Sequence, residues 1–163
     1  MSFIKNFILL IIINIQKLFS KSCEYAIRAT IFIGSQSFKG NKPGLKDISG
    51  EINSPEAFTA KILQLLVKHR IISSHKGPFG GFSIDTNSLS EIKLYDIILA
   101  IDGDSIFKGC ALGLPKCSEN HPCPAHHKFK TIRKQLQDTL RSISIEDMIK
   151  DVISGLTFLK IIN

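Results

Sequence analysis

Apolar positions along this chain recur at helical spacing, break at a glycine-rich turn near the middle, and then resume. From Ser20 to Gly34 the stripe Tyr25, Ala29, Phe32 and Ile33 predicts a helix, followed by a polar connection from Gly34 to Gly44. Leu45, Ile48 and Ile52 fall at i, i+3 and i+7, a short amphipathic helix. Asn53-Ser54-Pro55-Glu56 then offers a serine suited to the N-cap, a proline at the first helical position and an acid in the first turn. The helix it opens carries Phe58, Ile62, Leu65, Leu66 and His69 on one face, and Glu56, Ala60, Lys61, Gln64 and Lys68 on the other.

Two short helices joined by a tight turn, the second presenting polar and basic residues, form a helix-turn-helix arrangement. Ile71 to Lys76 is a strand candidate, Gly77-Pro78-Phe79-Gly80-Gly81 a turn, and Phe82 to Ile84 a returning strand. A hairpin directly after a recognition helix is a wing, and His75 and Lys76 near its tip would lie beside phosphates. Ser90 to Ile101 is a further helix with Leu94, Ile97, Ile98 and Ile101 on one face, ended by Asp102-Gly103-Asp104. From Pro124 onward Phe129, Ile132, Leu136 and Leu140 recur as a narrow apolar seam flanked by Lys128, Lys130, Arg133 and Lys134, which suits pairing with a second copy, packing onto its own domain being the alternative. Ser144 with Asp147 resembles a capping box and opens a last helix to about Ser154, after which Leu156–Ile162 is expected to dock back.

The predicted fold is thus mainly α with a small β-hairpin wing: a winged helix-turn-helix plus a long dimerisation helix. Residues 19–89 form the DNA-binding region, residues 90–163 the loop and dimerisation region, and residues 1–18 an apolar extension.

Length and composition add three constraints. At 163 residues the chain is one domain, or one domain plus an extension, and 44% hydrophobic with 21% charged residues describes an ordinary globular protein. A net charge of +7 favours an acidic partner, nucleic acid first and an anionic membrane surface second. The apolar run from Phe7 to Ile15 falls short of the about 20 residues that a spanning helix needs. It has the size of a signal-peptide core, but no small-x-small cleavage site follows, and Ser20-Lys21-Ser22-Cys23 is a poor lipoprotein site. The run is therefore read as an extension arising from an upstream start; an exported or membrane-anchored disulfide protein is the competing reading. Without export the compartment is the reducing cytoplasm, where clustered cysteines serve as metal ligands or redox centres.

Three of the four cysteines and two of the five histidines lie in CALGLPKCSENHPCPAHH, Cys110 to His127. Cys110, Cys117, Cys123 and His126 give the spacing C-x6-C-x5-C-x2-H, four donors within 17 residues. Zinc accepts three thiolates and an imidazole in a tetrahedron, and an iron–sulfur cluster accepts three thiolates with a fourth ligand. Zinc sites usually show closer cysteine pairs, which favours a cluster while leaving both open. Pro115, Pro122 and Pro124 stiffen the loop and lower the entropy lost on closing it. His121 and His127 are weaker ligand candidates, the one separated from Cys123 by a proline and the other facing away from His126. Cys23, remote in sequence, is read as a small buried apolar residue. No base constellation or substrate motif accompanies these thiols, so neither an enzyme nor a small-molecule substrate is expected.

Taken together, SKSCEYAIRA, LKDISGEINSPEAFTAKILQLL, SSHKGPFGGF, LYDIILAIDGD and the three-cysteine loop, in that order, resemble the Rrf-two family of bacterial regulators from Phe19 to about Ser154. The first 18 residues have no counterpart in that family. The resemblance implies a homodimeric winged-helix protein that binds operator DNA with an affinity set by an iron–sulfur cluster, sensing redox, nitric oxide or iron–sulfur status. It places the cluster thiolates at Cys110, Cys117 and Cys123. His126 matches the histidine ligand of members holding a [2Fe-2S] cluster, and is preferred. Glu24 matches the acid that other members lend from the opposite subunit to a [4Fe-4S] cluster. The first cysteine spacing is one residue longer than is usual in the family. Structural zinc or a thiol redox switch is the alternative role for the cysteines. DNA contacts are expected from Ser54, Glu56, Ala57, Thr59 and Lys61 at the start of the recognition helix, with Arg28 and Lys76 on the backbone.

Overall fold

The computed structural model describes residues 18–159, so the expectations for the N-terminal run and for the last residues of the tail lie outside the described residues. The helices are α1 (Lys21–Phe38), α2 (Leu45–Ile52), α3 (Glu56–Lys68), α4 (Leu94–Asp102), α5 (Ser105–Lys108), α6 (His126–Ser142) and α7 (Ile145–Ile153). Between α3 and α4 lie β1 (Ser73–His75), β2 (Gly81–Ser83) and a short 3-10 turn, Thr86–Ser88. The architecture is mainly helical with one two-stranded antiparallel hairpin, in which Ser74 faces Phe82 and Ser73 faces Ser83.

Helix α1 starts where Ser20 caps it, the serine hydroxyl accepting from the Cys23 N–H at 3.1 Å. It runs one turn past Gly34, where the sequence predicts a connection. Gly34 is buried inside the helix, and a Cβ there would overlap the Ile149 side chain of α7. The glycine admits a close helix crossing rather than ending the helix, which is why its helix-weakening character misleads at this position.

The main core collects Ala26, Ala29, Ile31 and Ile33 of α1, Ile48 and Ile52 of α2, and Ile62, Leu63 and Leu66 of α3. Ile71, Ile72 and Ile84 at the hairpin root join it, as do Leu89, Ile97 of α4 and Ile145 and Ile149 of α7. The core therefore runs continuously across residues 89 and 90. The last helix is led back by backbone bonds from Ile145 N–H to Ile92 O at 2.9 Å and from Leu94 N–H to Ile143 O at 3.0 Å. Its N-cap is Ser144, accepting from the Asp147 N–H at 3.1 Å. A second, smaller cluster joins Cys23, Leu94, Ile98, Phe107 and Leu140, tying α1, α4, α5 and α6 together. In the tail Leu159 packs on the main core, whereas Leu156 and Phe158 are exposed.

The hairpin is seated on the connection between α1 and α2. Phe82 N–H donates to Pro43 O at 3.0 Å, and Ile84 N–H donates to the Ser37 hydroxyl at 3.0 Å. Gly81 has φ of +147°, and a Cβ at this position would overlap the Lys42 carbonyl oxygen. Among the described residues no helix is long and apolar enough to cross a membrane.

Candidate functional site

Helices α2 and α3 are joined through Asn53 in the left-handed conformation, with φ of 51° and ψ of 58°. Ser54 N–H reaches back to Ser49 O at 3.0 Å, closing α2 in a Schellman-type turn. Ser54 thus completes the end of α2 instead of capping α3, whose N-cap is Pro55. The Ser54 Oγ is buried without a hydrogen-bond partner among the described residues, so it is not offered to a ligand. Thr59 is corrected in the same way. It is fully buried, with its hydroxyl donating to Pro55 O at 3.1 Å. The buried face of α3 is Thr59, Ile62, Leu63 and Leu66, while Leu65 and His69, which the spacing puts on the same face as Ile62 and Leu66, are exposed.

Glu56, Ala57 and Lys61 remain exposed on the outer face of α3, and Lys76 is exposed on the hairpin. Arg28 lies 4.7 Å over the Tyr25 ring, which meets Phe58 edge-on at 5.7 Å. The arginine is thereby positioned on α1 by an aromatic contact that reaches α3. His75 Nε2 bonds the Ser83 hydroxyl at 2.7 Å across the hairpin.

The cysteine loop runs between α5 and α6 and contains no regular element. Its donors come together in two pairs. Cys110 Sγ and Cys123 Sγ are 3.8 Å apart, and Cys117 Sγ lies 3.3 Å from His126 Nδ1. A tetrahedral metal with bonds of about 2.3 Å to sulfur sets two ligand sulfurs about 3.8 Å apart, and a sulfur and a nitrogen about 3.5 Å apart. Each pair thus has close to the spacing of two ligands on one metal. Among the described residues no three His, Cys, Asp or Glu side chains group as ligands of a single ion. The four side chains predicted to converge on one centre therefore stand as two donor pairs.

Arg133 of α6 spans the loop's base. Its Nη1 donates to Gly109 O at 2.9 Å and its Nη2 to Cys117 Sγ at 3.4 Å. Cys117, His126, Lys130 and Arg133 line an open depression of about 450 Å³, whose carboxylate is Glu119, paired with Lys130. Glu24, the competing fourth ligand, sits in the first turn of α1 with Lys21 Nζ at 3.0 Å. His127 lies edge-on to the His126 ring with centroids 5.2 Å apart, and the backbone N–H of His121 bonds the Ser118 hydroxyl at 3.2 Å.

The cysteines differ electrostatically. The Cys110 thiol is held below its ordinary pKa first by backbone N–H groups of Leu112 and Leu114, with smaller help from Cys123 and Arg133. Burial pushes the Cys23 thiol up to about 12, reinforced by the negative charges of Asp102 and Glu24. Cys23 is an inert core residue, as its position in the first helix suggests. Arg133 enters the sequence reading only as one of several cations flanking the seam. Its signal is its spacing: seven residues after His126, it repeats the same helix face after two turns.

A helix-turn-helix with a hairpin wing, followed by a cysteine loop and a long helix, defines a winged-helix transcriptional regulator and not an enzyme. The chain belongs to the Rrf2 (Rrf-two) family of iron-dependent transcriptional regulators, whose profile matches residues 19–151. It is 31% identical over 134 residues to a protein of Aquifex aeolicus strain VF5 described as an HTH-type transcriptional regulator, covering 81% of this chain and 91% of that one. It is 27% identical over 128 residues to the HTH-type transcriptional regulator IscR of Photorhabdus laumondii, covering 78% of this chain and 76% of that one. Among solved structures, the fold matches T. potens IscR with a TM-score of 0.67 at 20% identity, over 89% of this chain and 95% of that one. CymR, the global cysteine regulator of B. subtilis, matches with the same TM-score at 18% identity, over 83% and 98% of the two chains.

Proposed function

We propose that this regulator acts in the cytoplasm as a homodimer on double-stranded operator DNA, with an affinity set by an iron–sulfur cluster held by Cys110, Cys117, Cys123 and His126. The observation that carries the reading is the pairing of the four donors, Cys110 with Cys123 and Cys117 with His126. One pair per iron is the arrangement a [2Fe-2S] cluster takes, with an imidazole replacing one thiolate. The short Cys117–His126 separation favours His126 over Glu24 as the fourth ligand. A bound cluster supplies a centre that oxidants, nitric oxide or iron limitation alter.

The chain's own residues supply the coupling. His126 is the first residue of α6, and Arg133, two turns along the same helix, bonds Cys117 and the loop's start. A change in the loop's ligand state is thus felt at the N-terminal half of α6. There Phe129 and Ile132 are exposed and available to a second copy, while Leu140 at the far end is buried. The recognition surface comprises Glu56, Ala57 and Lys61 on α3, Arg28 on α1 and Lys76 on the wing. A sensor needs DNA to bind its two states unequally, because equal affinities shift nothing.

Anaerobic purification, followed by iron, sulfide and zinc analysis, a visible spectrum and DNA binding at fixed salt by cluster-loaded and cluster-free protein, tests this. Two irons per chain and unequal affinities are expected; equal affinities would sink the sensing role. A second reading follows from the Cys110–Cys123 thiols, 3.8 Å apart in the loop between α5 and α6, with Cys110 held below its usual pKa. It is a thiol redox switch, and iron-free protein whose DNA affinity changes on reversible oxidation would establish it instead. One zinc per chain in colourless protein would assign the cysteines a structural role.

A further inference from the structure

The wing carries a feature that neither phosphate contact nor packing uses. Phe79 is 94% exposed, more than any other large apolar side chain among the described residues. It sits in a β-turn closed by Gly80 N–H donating to Gly77 O at 2.9 Å, with Pro78 at the second position. Proline at that position fixes its φ and preorganises the turn. The hairpin below is fastened to the α1–α2 connection through Phe82 and Gly81, so the turn is presented from a seated base.

The surroundings of this phenyl group are cationic. Lys76, exposed on the same turn segment, places a cation beside it, and the α1–α2 connection adds exposed Lys39 and Lys42. Ser74 and Phe82 of the hairpin line a depression of about 330 Å³ with Ala60 and Gln64 of α3. The wing is therefore flank to flank with the recognition helix. With α3 in a major groove, a neighbour so placed would meet the adjacent minor groove across the intervening phosphates. Proteins that enter the minor groove insert apolar side chains, phenylalanine among them, against or between base steps.

We infer that Phe79 is an apolar wedge that enters the DNA minor groove beside the recognition site, with Lys76 neutralising the flanking phosphate. The inference rests on the DNA-binding reading above. It adds a contact that reads deformability of the step it opens rather than base-edge hydrogen bonds. Sequence preference at that flank would then favour flexible pyrimidine–purine steps.

The test uses full-length wild type, Phe79→Ala and Phe79→Leu, with a duplex recovered by in vitro selection with the wild type. Circular dichroism and light scattering control for folding and assembly. Phe79→Ala should bind at least about fivefold more weakly, the low end for removing one aromatic–base contact. The dependence of log K on log salt should keep its slope, because no charge is removed. Phe79→Leu, which retains a wedge, should recover part of the loss. With 2-aminopurine replacing adenines of the site in turn, wild type should raise fluorescence at one flanking step and Phe79→Ala should not. Equal binding by Phe79→Ala and wild type overturns the wedge while leaving the DNA-binding reading intact. A loss of self-association in place of DNA affinity overturns it in favour of a contact with a second copy. Failure of wild type to select any duplex overturns both readings.

Discussion

The winged-helix core and the cysteine loop are built on opposite terms. In the core, aliphatic side chains from α1, α2, α3, α4 and α7 are almost wholly removed from water. The loop between α5 and α6 exposes Leu112 and Leu114 and is held at a few points. These include Arg133 on Gly109 O, Gly113 N–H on Cys110 O at 3.0 Å and His121 N–H on the Ser118 hydroxyl. Burial specifies the first region whether or not a ligand is present. The second is arranged by hydrogen bonds around chemically particular side chains, with little burial to fix its geometry. Under the sensing role proposed above, that division would keep the DNA-reading unit folded while the loop changes state.

Truncating one residue in each region should have opposite effects. Cys123→Ala should reduce iron and sulfide content to background and remove the visible absorption. The thermal midpoint of the cluster-free protein should stay unchanged, because Cys123 is not among the core residues. If the cluster-free variant unfolded, the loop would be part of the folding unit and the contrast would be wrong. Ile97→Ala should do the reverse. Ile97 is fully buried, and truncating it should cost about 2–5 kcal/mol by urea denaturation, from lost burial plus the cavity left behind. In protein that remains folded at low temperature, iron content per folded chain should be retained.

The same division explains what the sequence discloses. Helical spacing of apolar residues places α2 and α4 because those elements answer to burial, which periodicity records, whereas the hairpin, whose first strand is exposed, is found from its Gly77–Gly81 turn residues. Ser144 is found as a cap because a capping serine with an acid three residues on is a local signal. Ser54 carries the same kind of signal and misleads. Asn53, in the left-handed conformation, hands the Ser54 N–H to α2, a choice made by the turn between two helices rather than by Ser54 itself. Thr59 is placed among DNA contacts by its position near the helix start, but α3 turns that face inward. Gly34 hides a helix crossing because the partner, Ile149, lies more than a hundred residues away. The loop's donors are legible by type and spacing. Their division into two pairs is not, since it depends on Arg133 and on where α6 begins.

A smaller effect separates the DNA-facing charge from both regions. Lys76→Ala removes an exposed cation from the wing without touching core or loop. Binding should weaken to a similar degree on selected and unrelated duplexes, and the salt slope should fall by about one. Lys61→Ala, on the exposed face of α3, should instead weaken the selected duplex more than unrelated DNA. If both substitutions acted alike on all sequences, α3 would contribute charge and no reading, and the helix-turn-helix assignment of specificity to it would fail.

The finest discrimination between core and loop is chemical and depends on pH. The thiolate, not the thiol, attacks an alkylating agent, so labelling follows each cysteine's own titration. In reduced, cluster-free protein the Cys110 thiolate is favoured by the Leu112 and Leu114 N–H groups, which lowers its pKa below the ordinary thiol value. Its labelling by iodoacetamide should therefore rise at lower pH than that of an unperturbed thiol, and reach a plateau as pH passes through the lowered value. Cys23 moves the other way. Burial raises its thiol to about 12, so it stays protonated and shielded at neutral pH. Peptide mapping after timed labelling from pH 6 to 9 should show modification at Cys110 and none at Cys23 until denaturant is added. Labelling of Cys23 in native protein would mean that the α1–α4–α6 cluster opens readily, and the line between a ligand-independent core and a responsive loop would have to be redrawn.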